Sequence, residues 1–163
     1  MKYSKFEESM LLKQYELYVA GMEKISDRRH LTNSWFITIN TAVITVAAII
    51  YNIKNLSVDF CIFNAISLVG IILSVLWFLL IISYKQLNTG KFKIIHKLEK
   101  DLPAKLYTEE WDALGKGKNI FKYIPFSHIE VFVPLVFLAL YAVLLIYSMR
   151  TCSHIYSSIC FLS

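Results

Sequence analysis

Residues 60–84 read FCIFNAISLVGIILSVLWFLLIISY, 25 residues without a single Lys, Arg, Asp or Glu. The hydrocarbon core of a bilayer takes about 20 helical residues to cross. Inside it every backbone N–H and C=O has to be satisfied within the segment, so such a block is an α-helix. Two more uncharged blocks flank it, residues 31–53 (23 residues) and 131–149 (19 residues). All three are runs of Ile, Leu, Val and Phe without period-two alternation, which argues against an outer-membrane barrel. The expected fold is an all-α integral membrane protein with three transmembrane helices.

The composition agrees. Of 163 residues, 56% are hydrophobic and 18% charged, against about 45–50% and about 25% in soluble domains. The chain is too apolar for intrinsic disorder, and three cysteines do not make a disulfide-dense scaffold. The first block follows thirty residues holding six basic and five acidic groups, unlike a secretory signal. Fifteen of the 17 basic residues fall before the first block or between the second and third. The positive-inside rule then puts the N-terminus and the long loop in the cytoplasm and the C-terminus outside. The net charge of +5 is accounted for by lipid headgroups, and nothing in the sequence calls for nucleic acid.

The organisation reads as a cytoplasmic amphipathic helix (1–30), a first transmembrane helix (31–53), a short extracytoplasmic turn (54–59) and a second transmembrane helix (60–84). A cytoplasmic helical loop (85–128), a third transmembrane helix (129–149) and an extracytoplasmic tail (150–163) follow. In the first helix Leu11, Tyr15, Tyr18, Met22 and Ile25 recur at a mean spacing of 3.5, a coiled-coil-like seam. Such a helix lies flat on a membrane or packs on another helix, and its mixed charge favours packing. Arg28 and Arg29 mark the headgroup boundary, with Trp35 as an interfacial anchor.

In the loop, Leu87, Ile94, Ile95, Leu98 and Leu102 form an apolar stripe ended by Pro103. Thr108 reads as the N-cap of a short helix closed by Gly115 and Gly117. Ser127 and Glu130 have capping-box spacing at the start of the third span.

The first span carries a polar stripe. Ser34, Thr38, Thr41, Thr45, Ala48 and Asn52 fall within about 40° of one line on a helix, with Asn33 and Asn40 on its flank. The two readings are close helix–helix packing and the wall of a pore, with packing favoured. Asn40 is expected to bond a neighbouring helix or water. On the second span Ser67, Gly70 and Ser74 make a small-residue face.

The search for chemistry is nearly empty. No phosphate-binding loop, nucleophile elbow or zinc-protease motif occurs, and the four histidines have no metal-ligand spacing. No cofactor and no metal are expected. Asp112, His128 and Glu130 are the only acid–base candidates for a lipid-modifying enzyme, and no spacing pairs them. Cys152 and Cys160 form a disulfide if their side is oxidising, and stay free thiols otherwise.

Two segments carry a family pattern. The first contains Tyr15-Glu16-Leu17-Tyr18-Val19, then Glu23-Lys24-Ile25-Ser26-Asp27-Arg28-Arg29, then Asn33-Ser34-Trp35-Phe36 and Asn40-Thr41-Ala42. The second contains Tyr84-Lys85-Gln86-Leu87-Asn88, Lys91-Phe92-Lys93-Ile94-Ile95, Leu98-Glu99, Leu102-Pro103, Glu110-Trp111, Gly117-Lys118, Tyr123-Ile124-Pro125, Ile129-Glu130 and Val133-Pro134. Over about residues 10–140 this resembles the RipA family of bacterial cytoplasmic-membrane proteins. The resemblance implies a homo-oligomeric ring, an octamer, in the inner membrane. The apolar tail after Arg150 has no counterpart in that pattern.

The basic helix running into a two-span hairpin also resembles the SLATT effectors of bacterial conflict systems, which are thought to breach membranes; the third span departs from that plan. The expected function is a non-enzymatic membrane assembly whose cytoplasmic layer serves assembly and a protein partner, in envelope homeostasis or stress and intracellular adaptation. The alternative is a SLATT-like channel.

Overall fold

The structure, a computed structural model, describes residues 4–52, 60–117 and 126–160; for 60, 61, 117, 126–128 and 151–160 it describes the backbone alone. Four α-helices account for most of it: α1 (Lys5–Asn52), α2 (Phe60–Leu98), α3 (Leu106–Ala113) and α4 (Phe126–Cys160). Two 3-10 turns, Glu99–Asp101 and Gly115–Gly117, flank α3. Among the described residues three helices are long and apolar enough to cross a membrane.

Helix α1 is one unbroken helix of 48 residues, where the sequence reading divides it at residue 30. No Gly or Pro occurs between residues 22 and 52, so nothing breaks the helix where it turns from charged to apolar. In the same way α2 continues without a break past residue 84 to Leu98, and α4 runs beyond residue 149 to Cys160. Helix α4 starts at Phe126 and takes Pro134 inside it, so Ser127 lies in the first turn; its side chain is outside the described ones. Glu130 is buried. The side chains of Cys152 and Cys160, and therefore their pairing, also lie outside the described residues.

The start of α1 is capped by its own sequence. Glu7 N–H donates to Ser4 Oγ (3.3 Å) and Ser4 N–H donates to Glu7 Oε2 (2.8 Å), the reciprocal pair of a capping box. The Ser4 backbone N–H and then its hydroxyl hold the Glu7 carboxyl below its usual pKa.

The chain falls into two compact units. The charged unit comprises Met1–Leu31 and Ile81–Ile129; the apolar unit comprises Thr32–Leu80 and Glu130–Ser163. These divisions lie within a few residues of the ends of the uncharged blocks.

In the apolar unit Trp77 of α2 is buried, stacks on Phe36 of α1 (centroids 5.6 Å apart, 8° between planes) and lies 6.0 Å from the ring of Phe137 on α4. Its indole N–H donates to Asn33 Oδ1 at 2.9 Å. Further along, Tyr51 meets Phe63 edge-on. Asn33 with Trp77 and Tyr51 with Phe63 pair in opposite order, so α1 and α2 are antiparallel here. Ser67, Gly70 and Ser74 form the buried inner face of α2, and Tyr141 of α4 lies against Gly70. Leu68, Val69, Ile72, Phe132, Val136 and Val143 point outward, as lipid-facing side chains do.

Gly70 is where close approach is obligatory. A Cβ built there would sit 2.2–2.4 Å from three atoms of the buried Tyr141 ring. Gly70→Ala therefore lowers the thermal stability of the detergent-extracted protein, by about 1–3 kcal/mol as overpacking does. In a Tyr141→Ala background, where the ring is gone, the same change costs little. A double-mutant cycle on melting temperature checks this, and an unchanged penalty in both backgrounds contradicts the contact.

Candidate functional site

Beyond Leu98 the chain tightens into a 3-10 turn that buries Glu99 completely. A buried carboxylate needs donors, and Glu99 has them from two helices, α3 and α1. Tyr107 N–H donates to Oε1 at 2.7 Å and Thr108 N–H to Oε2 at 3.0 Å. The Thr108 hydroxyl donates to Oε2 at 2.6 Å and the Tyr15 hydroxyl to Oε1 at 3.3 Å. Tyr107 and Thr108 are the second and third residues of α3, whose amides have no partner inside the helix. Glu99 is therefore the N-terminal cap of α3, supplied from the end of α2.

This corrects the reading of Thr108 as the cap. Lys105 holds the N-cap position and makes no side-chain cap bond, and Thr108 lies within the helix. The other end follows expectation: α3 stops at Ala113, and Gly115 takes a left-handed φ of 69°, as a glycine just past a helix end does.

His96 completes the cluster, its Nδ1 lying 2.9 Å from Thr108 Oγ1 and 3.6 Å from Glu99 Oε2. The single hydroxyl hydrogen of Thr108 goes to Glu99, so the hydrogen between His96 and Thr108 is assigned to Nδ1. Phe92 packs between the rings of His96 and Tyr107.

The electrostatics follow from these contacts. Burial pushes the Glu99 carboxyl up, but the bonds from Thr108, Tyr107 and Tyr15 together outweigh it and leave it below its ordinary pKa. Burial, then the Glu99 charge and hydrogen bond, push the Tyr15 hydroxyl up to about 12. Tyr107 is raised by burial and by the charges of Glu23, Glu110 and Glu99.

The sequence-predicted seam borders this cluster. Met22 is buried and Leu11, Tyr15, Tyr18 and Ile25 are half-buried, all facing the interior of the charged unit. Lys91 of α2 lies over the Tyr18 ring, 4.9 Å from its centroid, a cation–π contact. A Cβ at Gly21 would come within 3.2 Å of the same ammonium. On α2 the predicted apolar stripe divides: Ile95 is buried and Leu98 half-buried, but Leu87 and Ile94 are exposed. Arg28 is exposed, Arg29 half-buried and Trp35 exposed.

The polar stripe of α1 takes the opposite position. Ser34, Thr38, Thr41, Thr45, Ala48 and Asn52 are all exposed on the protomer. Thr38 donates to Ser34 O, Thr45 to Thr41 O and Asn52 Nδ2 to Ala48 O, at 2.8–2.9 Å. Asn40 does not belong with them. It is fully buried, on the face of α1 turned to α4, where its backbone carbonyl accepts the Tyr141 hydroxyl at 3.2 Å. Its amide donates to Phe36 O of its own helix at 2.8 Å and not to a neighbouring helix. Among the described residues no cluster of His, Cys, Asp or Glu is arranged to hold a metal.

Glu99 sets the acid and alkaline limits of the charged unit. Its pKa is lower folded than unfolded, so its stabilisation is full above the unfolded value and is lost as pH falls through the folded one. Tyr15 has the opposite sign: its stabilisation is present below the unfolded value near 10 and is lost as pH rises through about 12. Glu99→Gln leaves donors of α3 undersatisfied and lowers stability by roughly 2–3 kcal/mol at neutral pH. Melting curves against pH check this: the gap between wild type and Glu99→Gln narrows as pH falls below the ordinary carboxylate range and on through the lowered pKa of Glu99, and a constant gap contradicts it.

Comparison with known proteins places this arrangement. No curated protein and no solved structure matches the chain. The pattern of the octameric membrane protein family (8xMP) matches residues 12–150. That stretch takes in the seam from Tyr15 to Ile25, the Glu99 cluster and all three uncharged blocks, and so the chain belongs to the octameric membrane protein family.

Proposed function

We propose that the protein is a non-enzymatic homo-oligomeric ring of the bacterial inner membrane, an octamer built on the RipA-like plan. The N-terminus and the charged unit lie in the cytoplasm and the C-terminus outside, as the charge asymmetry directs. The charged unit serves as the platform for assembly and for a cytoplasmic protein partner, in envelope homeostasis or stress adaptation.

The observation that carries this reading is the outward polar stripe of α1. Facing lipid, five hydroxyl or amide side chains on one line are a poor fit; facing another helix, small and hydroxylated residues permit close backbone approach. The donors of Thr38, Thr45 and Asn52 are already taken by the backbone of α1. With those bonds made inside the helix, much of this face is free for van der Waals contact with a neighbouring helix. A ring of heterologous contacts uses one such face per copy.

The test is a bulk substitution along the line. Thr38→Leu with Thr45→Leu, or Thr41→Trp alone, reduces the octamer in mild detergent while leaving the protomer helical, read by native mass spectrometry and circular dichroism. Cysteines placed at positions 34, 38, 41 and 45 stay inert to membrane-impermeant thiol reagents. Full labelling of that line, together with ion conductance in planar bilayers, overturns the packing reading in favour of a SLATT-like channel.

A further inference from the structure

The charged unit presents two surfaces that match each other but cannot meet within one copy. The first is on α3. Tyr107 and Thr108 face Glu99, and at roughly 100° per residue Leu106, Glu109, Glu110 and Ala113 fall on the opposite side. All four are exposed, Leu106 by 63%. This face is an apolar patch flanked by two carboxylates, and no residue of α3 is buried.

The second surface is on α1. Tyr15 points inward to Glu99, and Glu23 lies close enough to Tyr107 to act on it electrostatically. Turned roughly 140–180° from Tyr15 around the helix are Phe6, Met10, Lys13, Leu17 and Lys24, all exposed, Leu17 by 67%. This strip holds apolar and basic side chains and no carboxylate, whereas Glu16, Glu23 and Asp27 lie on an adjoining face.

We propose that the Leu106–Glu109–Glu110 face of α3 in one copy docks on the Lys13–Leu17–Lys24 strip of α1 in the next, forming the head-to-tail contact between neighbours. Three features carry it. The charges are complementary, two carboxylates against two ammonium groups, which steers and registers an interface. Each surface has an exposed leucine, Leu106 at the start of α3 and Leu17 midway along the strip, and leucine against leucine supplies burial. The levels also agree. The Tyr15–Glu99–Tyr107 contacts put the first turn of α3 beside Tyr15, and Lys13 and Leu17 bracket Tyr15 by two residues, about 3 Å along the helix. A cyclic assembly whose axis runs along α1 leaves every residue at its own level, so only surfaces at one level can meet. In the charged unit the order from strip to α1 to Glu99 to α3 then repeats into the next strip, a heterologous contact that closes a ring.

The inference rests on the oligomer proposed above, and the experiment separates the two. In full-length protein with Cys61, Cys152 and Cys160 replaced by Ser, Leu17→Cys and Leu106→Cys are introduced into separately tagged chains and co-expressed. Mild oxidation is expected to link the two tags, while either variant alone gives no dimer.

In parallel, Lys13→Glu with Lys24→Glu, and Glu109→Lys with Glu110→Lys, each lower the octamer fraction by about tenfold or more. Combining both pairs in one chain restores it. An intact octamer by native mass spectrometry with no linked tags and no charge-reversal effect overturns this contact and leaves the oligomer standing. In a chain carrying both cysteines, linkage within that chain at monomer mass also overturns it. A wild-type monomer overturns both.

Discussion

A helix in hydrocarbon must satisfy its own backbone and has no water to solvate polar side chains that it turns outward. The rest of the structure follows from that constraint. It makes the three uncharged blocks helical, and it explains how Thr38, Thr45 and Asn52 dispose of their donors, on carbonyls one turn back in the same helix. It also makes the outward side of α1 the informative one. The inward side is fully occupied by the Asn33–Trp77 bond, the Phe36 stack and the approach of Tyr141 to Asn40. A protomer with packed inner contacts and a polar line outside is suited to meet another.

The charged unit solves a different problem. Water is present there, so an isolated eight-residue helix such as α3 is too short to hold itself together. Its stability is borrowed through Glu99, which ties the amides of α3 to the end of α2 and to Tyr15 of α1. A carboxylate is suited to this, because it accepts from four donors at once, and the helix N-terminus favours its charge. The cost of burying it is offset only while all donors are in place, which makes the cluster a sensitive point for substitution and acid.

Much of this was legible in the sequence, for reasons that can be named. Uncharged runs near bilayer length read directly as spans, and the 3.5-residue seam from Leu11 to Ile25 picked out the inward face of α1. The Ser4–Glu7 capping box is equally readable, from Ser and Glu three apart. Long-range choices were not legible. Thr108 has every local mark of an N-cap, yet the acceptor comes from Glu99, nine residues upstream across Pro103. Asn40 sits beside the stripe in a wheel projection, but the ring of Tyr141, about a hundred residues away in sequence, decides that it faces inward. The change from charged to apolar composition at residue 30 marks a change of surroundings and not of backbone, since no Gly or Pro there ends the helix.

The central claim is that copies of this chain complete each other through the outward face of α1. The most direct measurement is the mass of the wild-type particle extracted in mild detergent, by native mass spectrometry, with two-dimensional class averages of the same sample. The account predicts eight copies in a closed ring, with the stripe of Ser34, Thr38, Thr41 and Thr45 against a neighbouring helix. A particle that stays monomeric in every detergent and in lipid nanodiscs would contradict it.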